Sequence, residues 1–308
     1  MNNIEKKGFT FTAPEEGIIH VFSWLPAPED IKGVVVIAHG MAEYANRYDE
    51  FARFLAQNNF AVYAPDHRGH GFTLTNSKVG FFSKKDGWEL VLSDLHKLIK
   101  ITKEKHPEMP TILFGHSMGS LLARNYAINY GRFVDKLILS GTATDPGFLS
   151  VFGRYLAKTL SFLIKPHTQS SLLNKLTFIG ANKTYKPQRT KFDFLSRDNN
   201  SVDKYIKDPL CGFNCSTSFY ADLLTGLQYV NKSENVGKIP TSLPIFVISG
   251  DDDPVGDYGK GVKKAYQQLL DTNHQTTTLK LYPGARHELT NEINRKEVFE
   301  DVLSWINK

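Results

Sequence analysis

A chain of 308 residues is long enough to bury a sizeable core, either as one large α/β domain or as a core with an inserted subdomain. Its 37 Lys and Arg against 32 Asp and Glu give a net charge of +5, spread along the chain without a long basic run, which excludes the usual signature of a nucleic-acid-binding arm. No apolar run reaches the length of a membrane span and the polar stretch Met1 to Thr12 lacks the apolar centre of a signal peptide, so a cytoplasmic protein is expected.

In chain order, Phe9-Thr10-Phe11 and Ile18 to Phe22 read as two strands separated by Pro14 to Gly17, an antiparallel hairpin at one edge of a sheet. Gly33 to Ala38 is apolar without alternation, as a strand buried on both faces of a parallel sheet must be. A helix follows from about Ala45 to Gln57, with Tyr48, Phe51, Ala52 and Leu55 at three- and four-residue steps. Ala61 to Ala64 is the next buried strand, leading into the glycine-rich loop Asp66 to Gly71, and Trp88 to Lys103 is a second amphipathic helix.

Thr111 to Phe114 then runs into Gly115-His116-Ser117-Met118-Gly119 and directly on into a helix-favouring segment, a strand, sharp turn and helix in succession. A serine at such a turn has its hydroxyl projecting, and the flanking glycines leave room where side chains would meet the neighbouring strand and helix, so Ser117 is the candidate nucleophile. After the strand Lys136 to Ser140 the β-then-α rhythm breaks. Residues 147–238 are helical, aromatic and irregular, and read as an inserted, mainly helical cap on a core made of residues 1–146 and 239–308. Its first part, Phe148 to Ile164, has a broad apolar face that either docks on the core or forms a hydrophobic lid. Cys211 and Cys215 lie in this insertion without companions at metal spacing and read as buried thiols. The rhythm resumes with the strand Pro244 to Ser249, a helix from Lys260 to Leu270, the strand Thr277 to Tyr282 and a last helix from Val298 to Ile306. The fold class is therefore α/β, with an eight-stranded, mostly parallel sheet flanked by helices.

Functional residues of an open parallel sheet gather at the carboxyl ends of its strands. The loop after Tyr282 holds His287, the one histidine that follows the last strand, and the loop after Ile248 holds Asp251, Asp252 and Asp253. Ser117, an aspartate and His287 thus stand in the chain order that a serine hydrolase of this topology needs. Asp253, fixed by the proline after it, is the preferred partner of His287; Asp251 is the alternative, and Asp257 is placed to cap the next helix. Main-chain N–H groups of Met118 and Met41 are the expected oxyanion donors. His39 is expected to brace the loop after Ala38, and Glu43 with Arg47 reads as a surface ion pair worth a few tenths of a kcal/mol. The Asp66 to Gly71 loop lacks a companion carboxylate and histidine cluster, so neither a metal nor a cofactor is expected.

These pieces, together with Ser196-Arg197-Asp198, Val202, Tyr205 and Asp208-Pro209-Leu210 in the insertion, resemble the α/β-hydrolase superfamily and, within it, the monoacylglycerol lipase and lysophospholipase group of the serine aminopeptidase-like hydrolases. The likeness spans roughly residues 15 to 305, and the first part of the cap, Gly147 to Lys191, departs from it. What it implies is a serine esterase of lipid-like esters, with Ser117, Asp253 and His287 as triad and the Met41 and Met118 amides as oxyanion hole. The expected partner is a small-molecule, lipid-like ester, with transient membrane contact through the cap. The competing expectations are an aminopeptidase of the same fold and a ligand-binding protein without turnover.

Overall fold

The computed structural model describes residues 4–15, 17–73 and 78–308. Eight strands form one sheet in the order β1-β2-β4-β3-β5-β6-β7-β8. β1 (Glu5–Ala13) and β2 (Gly17–Leu25) pair as an antiparallel hairpin, with Phe9 opposite Val21, and β2 pairs antiparallel with β4 (Phe60–Pro65). Of the expected turn from Pro14 to Gly17, Glu16 lies outside the described residues, as do Met1 to Asn3 of the polar start. β3 (Gly33–Ala38), β4, β5 (Thr111–His116), β6 (Lys136–Ser140), β7 (Ile245–Gly250) and β8 (Thr277–Tyr282) are all parallel.

The central strands are apolar throughout because both faces of the sheet are covered. Successive side chains of a strand point to opposite faces, and in β3 Val34, Val36 and Ala38 join one apolar cluster while Val35 and Ile37 join the other. On the second face lie α1 (Asp49–Gln57), which follows a short 3₁₀ turn at Ala45–Tyr48, and α10 (Arg295–Ile306), meeting through Phe51 and Phe299. The first face is covered by α2 (Gly87–Lys105), α3 (Met118–Tyr130) and α9 (Lys260–Asp271). Asp257 does not cap α9 with its side chain: the cap residue is Gly259, in the left-handed region at φ 80°, and no side chain bonds to the helix start. A glycine there turns the chain without the steric cost that a β-carbon brings, so no carboxylate is called for.

Between β6 and β7 lie α4 (Phe148–Ile164), α5 (Ser171–Thr177), α6 (Asn199–Lys207), α7 (Thr217–Val230) and the short α8 (Ser233–Val236). α7 shares the apolar cluster of α2 and α3 through Phe219, Tyr220, Leu227 and Val230. Gly226 is a point of close approach to α2, since a β-carbon there would stand 2.2 Å from the Trp88 indole. α4 packs in turn on α7, burying Ala157 and setting Gly153 beside Leu224. Its other side faces outward, with Phe148 at 79% and Phe162 at 88% exposure. Both free cysteines are buried.

Candidate active site

Ser117 stands between β5 and α3 with φ 53° and ψ −118°, a backbone region that non-glycine residues avoid and that throws the side chain clear of the strand end. The glycines around it are required by contact rather than flexibility. A β-carbon on Gly115 would lie 2.3 Å from the Gly119 carbonyl oxygen, and one on Gly119 would lie 2.0 Å from that of Ala38. The turn is pinned by the Ser117 N–H donating to the Ser140 carbonyl at 2.9 Å and by the Ser120 hydroxyl donating to the Ser117 carbonyl at 2.6 Å. Met118 is the first residue of α3, so its N–H is among the helix amides that have no intrahelical acceptor.

The loops after β3, β6, β7 and β8 converge on this turn. The β-carbon position of Gly40 is 3.3 Å from the Ser117 β-carbon, and that of Gly141 is 3.1 Å from the His287 ring. The rings of His116 and His287 are 4.8 Å apart. His287 Nδ1 donates to Asp253 Oδ2 at 2.9 Å, with both side chains buried; Asp253 Oδ1 accepts the Val255 N–H at 2.8 Å. Asp251 instead accepts the Gly284 N–H at 2.6 Å, bracing the turn before the histidine. Burial opposes a charge on His287, but the adjacent Asp253 carboxylate more than offsets it, with Glu288 and Glu43 acting in the same sense, and the imidazole pKa is raised. His116, buried and facing His287, is pushed down to about 3 and stays neutral.

His39 braces its loop as expected. Nδ1 donates to the Gly40 carbonyl at 2.7 Å while Nε2 accepts the His67 N–H at 2.9 Å, a pairing that assigns the tautomer. Desolvation, followed by His67 and His70, holds its pKa well below the usual range. The Asp66 to Gly71 loop is likewise consumed by structure. Asp66 accepts the N–H groups of Ala45 and Phe72 at 2.8 Å each, and Arg68 makes two bonds to Asp94. Among the described residues there is no group of three or more His, Cys, Asp or Glu side chains able to hold a metal ion.

Glu43 and Arg47 are not a surface pair. Glu43 is 3% exposed, and the Arg47 guanidinium, bonded to Glu43 at 2.7 Å, also makes a parallel pair of bonds to Glu288 at 2.6 and 2.7 Å. A buried ion trio behaves unlike an exposed i,i+4 pair, because removing one member strands the others out of water. The spacing of Glu43 and Arg47 is visible in the sequence, but Glu288 lies far along the chain. Its adjacency to His287 is the one signal that could have flagged it.

The segment between β6 and β7 reaches the histidine through main-chain bonds. The N–H groups of His287 and Glu288 donate to the carbonyls of Phe194 and Leu195 at 3.2 and 2.7 Å, and the Phe194 ring centroid lies 6.3 Å from that of His287. Arg197 holds the same stretch to the core through Glu292 at 2.9 Å.

A family profile described as serine aminopeptidase, S33, matches residues 29–294. The chain belongs to that family. This S33 hydrolase is 31% identical to the monoacylglycerol lipase of Mycolicibacterium smegmatis over 291 residues, covering 92% of this chain and 90% of that one. It is 27% identical to the human monoglyceride lipase over 289 residues, covering 90% and 83%. Among solved structures, a thermostable carboxyl esterase from Bacillus coagulans in complex with glycerol matches with a TM-score of 0.91 at 29% identity over 99% of both chains. A lipase in its open form matches at 0.86 and 27% identity over 98% of both chains. The S33 hydrolase is therefore an α/β-hydrolase and a serine ester hydrolase.

Proposed function

We propose that this enzyme is a cytoplasmic esterase that cleaves monoacylglycerols, lysophospholipids or similar medium- to long-chain esters through an acyl-enzyme on Ser117. In this reading the neutral His287 takes the Ser117 proton as the hydroxyl attacks the ester carbonyl, and Asp253 holds the imidazole and stabilises the imidazolium. The amides of Met41 and Met118 receive the oxyanion. His287 then protonates the departing alcohol, and water, activated by the same imidazole, releases the acid. The observation that carries the reading is the buried His287–Asp253 bond on loops that converge with the strained turn of Ser117.

Residues 147–238 act here as the cap. Outward-facing Phe148, Leu149, Phe152, Phe162 and Leu163 on α4 support contact with a lipid surface. Residues 146–192 carry Arg154, Lys158, Lys165, Lys175, Lys183, Lys186, Arg189 and Lys191 and no acidic residue, which favours an anionic surface. The acidic residues of the rest of the cap, among them Asp193, Asp198, Asp203, Asp208 and Asp222, are scattered along the sequence, which disfavours the aminopeptidase alternative with its need for an acidic cluster to hold a substrate ammonium. No helix among the described residues is long and apolar enough to cross a membrane, so the proposed contact is peripheral.

The test is a fluorophosphonate probe with a panel of esters. Labelling is expected at Ser117, with Ser117→Ala unlabelled and its turnover down by about 10⁴-fold or more. Each added CH₂ contributes about 0.8 kcal/mol, so kcat/KM is expected to rise by roughly a hundredfold over four carbons of acyl chain. Labelling elsewhere removes the nucleophile assignment. A flat response to acyl length, with good cleavage of an aminoacyl arylamide, favours the aminopeptidase.

A further inference from the structure

The buried trio of Glu43, Arg47 and Glu288 joins two loops that the proposed reaction needs in a fixed relation. On one side, Glu43 Oε1 accepts the Gly40 N–H at 2.6 Å and the Tyr48 hydroxyl at 2.8 Å. That bond folds the loop after β3 back on itself around Ala42, which is held at φ 54°, and fixes the His39–Gly40 peptide, one unit before the peptide that carries the Met41 N–H. On the other side, Glu288 directly follows His287, and its carboxylate takes both terminal nitrogens of Arg47 plus the Asn291 amide at 3.0 Å. Arg47 lies 4.7 Å from the centre of the Tyr205 ring, and the Tyr205 hydroxyl donates to the Ala42 carbonyl at 3.0 Å, so the insertion closes over the same link.

We infer that Glu288 is a positioning residue, which through Arg47 and Glu43 sets the oxyanion loop and the histidine loop in register and leaves one surplus negative charge beside the base. The inference rests on the proposed roles of Ser117, His287 and the Met41 amide. A parallel, two-bond guanidinium–carboxylate contact fixes orientation as well as distance, which a single bond does not. Two carboxylates share one guanidinium, so the trio carries a net charge of −1 in a region shielded from water. The ionisable groups around His287 are Asp253 from the loop after β7, the neutral His116 from the end of β5, Glu43 and Arg47 from the loop after β3, and Glu288 next to it in sequence. Arg286, on the other flank, is turned away: it donates to the Asp193 carbonyl at 2.7 Å and lies over Tyr185.

The experiment compares the wild-type enzyme with Glu288→Gln, Glu288→Asp and Arg47→Lys, each scaled to active sites titrated with the fluorophosphonate. Probe attachment to Ser117 in the wild type is established first, and its failure there would bear on the parent reading alone. Glu288→Gln is expected to lower kcat per titrated site by roughly ten- to a hundredfold, since small misplacements of catalytic groups cost that much, with KM changed little. It also removes a charge that favours the imidazolium, so the acid limb of kcat/KM moves to lower pH by on the order of half a unit or more. Glu288→Asp and Arg47→Lys keep their charges and lose the two-bond geometry, so they lower kcat while the limb stays in place. A merely structural role would reduce the titratable fraction or the melting temperature, with kcat per site and the limb unchanged. That outcome in Glu288→Gln overturns the inference. Where Glu288→Gln does not fold, wild-type kcat per site in both Glu288→Asp and Arg47→Lys overturns it equally.

Discussion

Asp253→Asn probes the electrostatic part of the proposed mechanism, because asparagine keeps the shape of the aspartate and removes its charge, leaving one acceptor oxygen for the two N–H donors, of His287 and Val255, that the carboxylate serves. In the structure the Asp253 carboxylate oxygen is 2.9 Å from His287 Nδ1, and Asp253 is 0% exposed. Unit charges at that separation interact by about 6 kcal/mol at an effective dielectric constant of about 20. The interaction matters only while the imidazole is charged, which in the proposed reaction is at the transition states for acyl transfer. At about 1.4 kcal/mol per decade the limit is roughly four decades of rate, and the residual dipole of the amide brings the expected loss to about 10³- to 10⁴-fold in kcat/KM. The variant also changes the pH profile. With its raised pKa, wild-type His287 is protonated, and the enzyme inactive, below a limb lying above the ordinary histidine value; activity rises as pH passes through it. Without the carboxylate, burial opposes the imidazolium with less compensation and the limb moves to lower pH. Hydrolysis of a medium-chain p-nitrophenyl ester between pH 5 and 9 reads both effects, with near-ultraviolet circular dichroism as the check on folding. The reasoning is refuted if Asp253→Asn keeps more than a tenth of wild-type kcat/KM, or if Asp251→Asn loses as much.

Two further outcomes test the packing and the surface of the insertion. Gly226→Ala forces a β-carbon to within 2.2 Å of the Trp88 indole, whose Nε1 is already committed to Asn125 at 2.8 Å. Overpacking of this kind is expected to destabilise the fold by about 1–3 kcal/mol, read as a lowered urea midpoint, and an unchanged midpoint would show that α7 is not locked on α2. Cosedimentation with vesicles is expected to be stronger for phosphatidylcholine containing phosphatidylglycerol than for phosphatidylcholine alone. It should weaken as salt screens charges beyond about 8 Å, and Phe152→Asp with Phe162→Asp should abolish it. Equal binding to both vesicle types, insensitive to salt, would remove the cationic surface from the argument.

Residues close together in the chain were enough to read the strand, turn and helix around Ser117, the parallel strands and the loop after β8 that carries His287. A strand covered on both faces shows as an unbroken apolar run, as in Gly33–Ala38, and the Gly115 to Gly119 turn is a steric necessity confined to neighbouring residues and one adjacent strand. The expectation for α4 is divided between docking on the core and forming a hydrophobic lid; in the fold one side of the helix packs on α7, itself between β6 and β7, and the other side faces outward. Asp253 is preferred over Asp251 on the strength of the proline after it, but the contacts themselves belong to the fold, in which the Asp253 carboxylate meets His287 and that of Asp251 meets Gly284. The ion trio needed the fold more. Four-residue spacing announces that Glu43 and Arg47 are neighbours, but whether such a pair is solvated or buried depends on what covers it, and here the cover is Glu288 and Tyr205, drawn from distant parts of the chain. Local spacing specifies contacts within one element, while the dielectric surroundings of a charge are set by every element packed around it, and those meet only in the folded molecule.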